Sequence, residues 1–237
     1  MRQTAMRILV GTPTYNGQLT THYTGALLSL WEAFPGQLDW KTTSGTLIAW
    51  ARNTLASLVL ESDHTHLLFI DSDIDYPPDL IQRMIDFDAP IVSAVCPHRI
   101  LDIPRFHAMS RQFDEPAAAW ARSLSFVMEL EQPPVEKNGF YRAKRTGTGL
   151  MLIKREVFET LRDAHPELYR PAAGSYYEHQ RLTNVLQCFD PAYDDTGVSM
   201  GEDVSFARRW QATGGEIWVV FDDTVGHVGP FVFRARG

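Results

Sequence analysis

The stretch that most limits how this chain can fold is His66-Leu67-Leu68-Phe69-Ile70-Asp71-Ser72-Asp73-Ile74-Asp75-Tyr76-Pro77-Pro78. Four consecutive apolar residues run directly into three alternating aspartates. A run that is apolar at every position reads as a strand covered on both faces, as in a parallel sheet lined by helices. Pro77-Pro78-Asp79 favours the first turn of a helix, because proline there loses no N–H that the helix needs. The carboxylates therefore stand where a central strand gives way to a helix, the edge at which open α/β sheets bind ligands. Asp71 and Asp73 are two apart, so in extended chain they point to one side. Two carboxylates converging in a partly dry cleft repel each other, and a divalent cation with oxygen ligands relieves this. Taken alone, the pair also reads as a solvated acidic turn.

The totals narrow the class. A chain of 237 residues is one large α/β domain or two small ones, and 44% hydrophobic residues suffice for a packed core. A net charge of -7 weighs against a surface that coats nucleic acid. Cys96 and Cys188 lie in apolar surroundings without metal-ligand spacing, which predicts buried free thiols. No apolar signal region and no run of about 18 apolar residues is visible, so a cytoplasmic protein without a membrane span is expected.

Between residues 6 and 95 the pattern alternates strand and helix, the signature of a mostly parallel, Rossmann-like sheet with helices on both faces. Strands are expected at 6–11, 38–43, 67–70 and 89–95, and helices at 20–34, 47–61 and 78–87. In the second helix Leu47, Ile48, Ala51, Leu55, Leu58 and Val59 form one stripe, with Arg52 at its edge and Asn53 on the far side. Residues 97–116 show no period and read as a loop crossing the cleft. Antiparallel strands are expected at 123–130 and 141–145, a buried strand at 150–153 and a helix at 155–164. Residues 171–191 read as a long functional loop, 202–213 as a helix ended by Gly214-Gly215, and 216–220 as a last strand. The tail Phe231-Val232-Phe233 is expected to lie on the body. Thr146-Gly147-Thr148-Gly149 lacks Gly-x-Gly-x-x-Gly spacing and precedes a strand, so it is not a phosphate loop. Its glycines allow close backbone approach to a ligand, or a tight turn.

Two further constellations carry chemistry. In Gly201-Glu202-Asp203, helical spacing puts Asp203 on the face of Phe206, Ala207 and Trp210. A carboxylate there balances desolvation against a helix N-terminus, which suits a general base. Ordinary acidic decoration of a helix start is the simpler reading of that stretch alone. His227, between Gly226 and Gly229, is free to bend toward a shared site, and neutral imidazole binds Mn²⁺ and Zn²⁺. A lone histidine is more often structural.

In this order, the residues resemble the GT-A glycosyltransferases, chiefly the small family 2-like members, with some likeness to mannan-polymerase-type enzymes. The matching pieces are Thr12-Pro13-Thr14-Tyr15-Asn16, Ala51-Arg52-Asn53, Phe69-Ile70-Asp71-Ser72-Asp73, Gly147-Thr148-Gly149 with the strand after it, Gly201-Glu202-Asp203 and His227. The resemblance implies a single GT-A catalytic domain, with a nucleotide-binding half at about 1–96 and an acceptor-binding half at about 97–237. It implies transfer of a sugar from a UDP- or GDP-linked donor to an acceptor hydroxyl, with inversion. Pro13, Thr14, Tyr15 and Asn16 would hold base and ribose, and Arg52 would approach the nucleotide or its phosphates. Asp71 and Ser72 would face ribose or sugar. Asp73 would bind Mn²⁺ or Mg²⁺ bridging the diphosphate, and His227 resembles a third metal ligand. Glu202-Asp203 resembles the acidic pair of inverting enzymes, whose aspartate deprotonates the acceptor.

Two departures qualify this. Thr42-Thr43-Ser44-Gly45 stands where family 2 members often carry a base-binding aspartate, which leaves the base open. The Gln-x-x-Arg-Trp element of processive synthases is absent, so processivity is not implied. The acceptor is a glycan or another hydroxyl compound, with a nucleic acid disfavoured by the acidic charge. Two alternatives stay open, a sugar-phosphate nucleotidyltransferase and a non-catalytic nucleotide-sugar-binding module. The first usually carries a glycine-rich basic loop that Thr12 to Gly17 lacks.

Overall fold

Alternation within the central strands sorts the core into two layers. The computed structural model describes residues 6–222 and 224–230, apart from the side chains of Ser175 and Glu178. The expected tail at Phe231 to Phe233 lies outside the described residues.

The chain runs β1 (Ile8–Thr14), α1 (Thr21–Ala33), β2 (Leu38–Ser44), α2 (Ile48–Leu60), β3 (His66–Ile70), β4 (Ile74–Asp75), α3 (Pro78–Phe87) and β5 (Ile91–Ala94). It continues with α4 (Ile103–Met109), α5 (Pro116–Ser123), β6 (Met128–Leu130), β7 (Glu136–Lys137), β8 (Phe140–Thr146), β9 (Leu150–Lys154) and α6 (Arg155–Ala164). Last come β10 (Tyr169–Pro171), α7 (Ser175–Glu178), β11 (Asn184–Leu186), β12 (Ala192–Tyr193), β13 (Ser199–Met200), α8 (Glu202–Ala212), β14 (Ile217–Val220) and β15 (Gly226–His227).

One sheet, ordered β2-β1-β3-β9-β5-β14-β8-β6 with β7 beside β8, carries both halves of the chain. β1 is parallel to β2 and β3, and β5 is parallel to β14. β9 enters between β3 and β5 and is antiparallel to both, so β2, β1, β3, β5 and β14 share one direction. The sheet is thus mostly parallel as expected, with two reversed strands, β9 at its centre and β8 beyond β14. Leu150 to Ile153 could not reveal the reversal of β9, because a strand apolar on both faces reads alike in either direction. Ile8, Val10, Leu68 and Ile70 pack one face of the sheet against α1 and α3. Leu9, Leu67 and Phe69 pack the opposite face against α2, α6 and α8. Among the described residues, no helix is long and apolar enough to cross a membrane.

Two segments differ from expectation. The first is α2, which is buried at Asn53, Thr54 and Ser57 as well as at Leu55 and Val59. The chain at 186–190 returns over its polar side. Asn53 accepts from the Phe189 N–H at 2.9 Å and donates to Asp190 Oδ1 at 2.6 Å, while Ser57 Oγ accepts from the Leu186 N–H at 2.9 Å. Buried polar groups are tolerated because they are bonded, and stripping one partner costs about 1–3 kcal/mol. Much of the segment expected to be a functional loop is therefore a cover, with Tyr177, Leu182 and Val185 buried together. The second is 97–116, expected as a loop, which contains α4 and leads into α5. Asp102 caps α4 by accepting from the Arg105 N–H at 2.9 Å, and prolines open both helices. No residue of α4 is buried, which is why no apolar period announced it.

Candidate active site

The loop after β3 is pinned by three distant parts of the chain. The Asp71 N–H donates to the Gly149 carbonyl at 2.8 Å, the Thr20 N–H donates to the Ser72 carbonyl at 3.0 Å, and the Val228 N–H donates to the Asp73 carbonyl at 2.8 Å. Gly149 packs against this loop, where a Cβ would lie at ordinary contact distance, 3.4 Å from Asp71 Oδ2 and 3.6 Å from Cys96 Sγ.

Arg52 reaches the same loop from α2. Its Nη2 donates to Asp71 Oδ1 at 3.0 Å and Oδ2 at 3.3 Å, and Nη1 donates to the Thr148 carbonyl at 3.4 Å. Its Nε is 3.8 Å from Glu202 Oε1, and the guanidinium lies 5.1 Å from the Phe69 ring centre. One guanidinium, 3% exposed, thereby joins α2, the end of β3 and the start of α8.

On the outer side stand Asp73, His227 and Arg99. β15 pairs antiparallel with β4, placing His227 opposite Ile74. His227 Nδ1 lies 2.7 Å from the Pro97 carbonyl, and Nε2 lies 3.3 Å from Asp73 Oδ1. A carbonyl only accepts, so Nδ1 carries a hydrogen and Nε2 faces the carboxylate. Two acceptors face to face need a proton or a cation between them. Burial alone pushes the Asp73 carboxyl up and the His227 imidazole down. Their mutual contact outweighs it, helped by the charge of Arg99 on Asp73 and by the Pro97 carbonyl on His227. Asp73 is thus held below its ordinary value and His227 above its own. Arg99 Nη1 meets Asp73 Oδ2 at 2.6 Å. A histidine whose other ring nitrogen is held by a carbonyl is the usual arrangement of a metal ligand, so these residues fit a divalent cation. Among the described residues no set of three or more His, Cys, Asp or Glu side chains is disposed to hold a metal. Both cysteines are free. Burial, then Asp71 and Asp73, push the Cys96 thiol up to about 12, which keeps it protonated.

These groups surround a cavity of about 280 Å³. Its wall takes in Pro13, Thr14, Tyr15, Asp71, Ser72 and Asp73, together with His227. Thr14 is buried and donates to the Thr43 carbonyl at 3.1 Å, while Tyr15 is 74% exposed at the rim. Four other expected residues stand outside the wall. Arg52 lies behind Asp71, and Asn16 accepts from the Gln18 N–H at 3.2 Å. Glu202 and Asp203 begin α8, where Asp203 accepts from the Val204 N–H at 2.7 Å. Arg99, Gly45, Thr46 and Ile48 complete the wall and were not anticipated. The basic character of 97–116 hinted at Arg99, but no spacing rule links it to Asp73.

The Anp1 family matches residues 38–155, from β2 through the end of β9, and so takes in Asp71 and Asp73. No curated protein matches the sequence. The fold is α/β, a mostly parallel sheet with helices on both faces. Among solved structures, the chain is similar to a protein from STIV, with TM-score 0.47 and 14% identity over 98% of this chain and 99% of that one. It is similar to mannose-1-phosphate geranyltransferase from Thermus thermophilus, with TM-score 0.47 and 12% identity over 91% of this chain and 73% of that one. It is also similar to a UDP-glucose pyrophosphorylase complexed with UDP-glucose, with TM-score 0.45 and 9% identity over 92% and 91%.

Proposed function

We propose that this chain is a nucleotide-sugar-dependent glycosyltransferase in which Asp73 and His227 would hold Mn²⁺ or Mg²⁺, supplying positive charge for the donor diphosphate. The observation that carries this reading is His227, fixed by the Pro97 carbonyl at Nδ1 and aimed at Asp73 through Nε2 on the wall of the cavity. The match to Anp1, a mannosyltransferase-related family, supports the donor class.

When bound, the cation neutralises charge on the departing diphosphate. Pro13, Thr14 and the exposed Tyr15 ring offer a wall for base and ribose, with Asn16 beyond it. Asp71, oriented by Arg52, accepts from a ribose or sugar hydroxyl beside Ser72. The acceptor oxygen bonds to the anomeric carbon as the bond from that carbon to the diphosphate oxygen breaks. The electron pair leaves with the nucleoside diphosphate, and the acceptor proton passes to the Glu202–Asp203 pair, with Asp203 as the base. Attack opposite the leaving group inverts the anomeric centre.

The test is a screen of UDP- and GDP-sugars with Mn²⁺, reading release of nucleoside diphosphate. Metal-dependent release, lost in Asp73→Asn and His227→Ala, is expected. No release from any donor, or release indifferent to a chelator, would sink the reading. Pyrophosphate formed from a nucleoside triphosphate and a sugar 1-phosphate would mark a nucleotidyltransferase instead. Tight binding without release would mark a non-catalytic module.

A further inference from the structure

A second and larger cavity, about 1160 Å³, opens between α5, the chain at 97–101 and the approach to β15. It exceeds the roughly 300–1,000 Å³ usual for small-molecule sites. Leu101, Trp120, Leu124, Phe126, Phe221 and Val225 are among the residues of its apolar wall. Trp120, Phe126 and Phe221 are 44%, 38% and 43% exposed, so the apolar surface is open to an occupant. Contiguous apolar surface on a soluble chain marks a place where something binds.

The charged and imidazole side chains of this wall already have partners. Arg83 pairs with Asp222 at 2.7 Å, and Asp222 also accepts from the Thr224 N–H at 3.0 Å. His98 Nδ1 meets Ser125 Oγ at 3.0 Å. Arg99 is taken by Asp73, and His227 by Asp73 and Pro97. Among its side chains, spare donors remain on the guanidinium groups of Arg83 and Arg99, so hydroxyls of a free oligosaccharide laid over the apolar stretch would go unpaired, at about 1–3 kcal/mol each. An apolar body meets no such cost. Arg99 and His227 also line the smaller cavity, so the two spaces meet at these two side chains.

We infer that the large cavity seats the acceptor of the proposed transfer, and that this acceptor is amphipathic, with an apolar body in the cavity and a hydroxyl-bearing end at Arg99 and His227. The inference rests on the glycosyltransferase reading for the word acceptor, but the apolar site can be tested apart from it. The full chain is titrated calorimetrically with methyl, octyl and 4-nitrophenyl glycosides of one sugar, in the presence of Mn²⁺ and UDP or GDP. Octyl or 4-nitrophenyl glycosides should bind about tenfold tighter than the methyl glycoside, or more, because apolar surface leaves water. A preference for 4-nitrophenyl assigns an aromatic body, and a preference for octyl an alkyl one. Ala118→Phe, which fills the cavity from α5, and Trp120→Ala, which strips its wall, should each erase most of the preference. Affinity for the nucleoside diphosphate, measured alongside, should stay unchanged in both variants and reports that they are folded. Equal affinity for the three glycosides, or a preference that survives both substitutions, overturns the inference. An apolar preference without any binding of UDP or GDP overturns the donor reading and leaves the apolar site standing.

Discussion

Two arginines each hold one of the aspartates that follow β3, and their surroundings are opposite. Arg52 is 3% exposed, comes from a helix buried nearly all round, and binds Asp71, the Thr148 carbonyl and the Glu202 side together. Arg99 is 47% exposed, comes from the connection after β5, and has Asp73 as its carboxylate partner. The inner pair belongs to the frame, because removing one member strands a charge in low dielectric. The outer pair is a surface contact that a cation or a diphosphate can replace at small cost. The same chemistry, an arginine on an aspartate, is thus buried in the frame at one residue and left accessible on a cavity wall two residues further on.

Arg52→Ala should break this comparison most sharply. It leaves Asp71 and Glu202 uncompensated, and a loss of about 3 kcal/mol is expected, the low end for a buried pair because Asp71 is partly exposed. Urea denaturation reads it directly, and a midpoint shift no larger than that of Arg99→Ala would erase the distinction. His227→Ala should change stability little, yet lower Mn²⁺ affinity about tenfold or more, as measured calorimetrically with GDP or UDP present. Unchanged Mn²⁺ affinity would move the metal elsewhere.

Arg99→Ala should cost about 0–1 kcal/mol. It should also tighten Mn²⁺ binding in the absence of nucleotide, since it frees Asp73; weaker binding would make Arg99 part of the metal site's frame. The smallest effect concerns a third pair, Arg83 with Asp222. Burial raises the Asp222 carboxyl, but Thr224 and Arg83 outweigh it and hold it below its ordinary 3.8. A depressed carboxylate contributes stability that is present above the unfolded value and is lost as pH falls through the folded one. The urea midpoint of Asp222→Asn should therefore converge on the wild type between about pH 5 and pH 2. Curves that stay parallel would show that Asp222 adds no pH-dependent stability.

The legible parts were those governed by local rules. Leu67 to Ile70 announced a doubly covered strand, Pro77-Pro78 announced α3, and Asp71 and Asp73 announced an acidic edge. The resemblance grouped Pro13, Thr14, Tyr15, Ser72 and His227 with those aspartates, and the structure brings them to one cavity. Helix α2 lies where expected, but the burial of Asn53 and Ser57 on its polar side is not legible until the chain at 186–190 is laid over them. Helix α4 was missed because it buries nothing.

By itself, the sequence determined which segments are strands and helices in the sheet's core, and that carboxylates crowd its edge. Period and turn chemistry act over a few residues, and those are written in the chain. Only the tertiary structure decided that β9 runs backwards, that Arg52 is locked while Arg99 is free to exchange, and that an apolar cavity adjoins the acidic one. Each of these depends on pairs far apart in sequence, such as His227 on Asp73, Arg52 on Glu202 and Phe126 near Phe221. No local periodicity encodes which distant surface will come to cover a given side chain, and that covering sets whether a charge is frame or site.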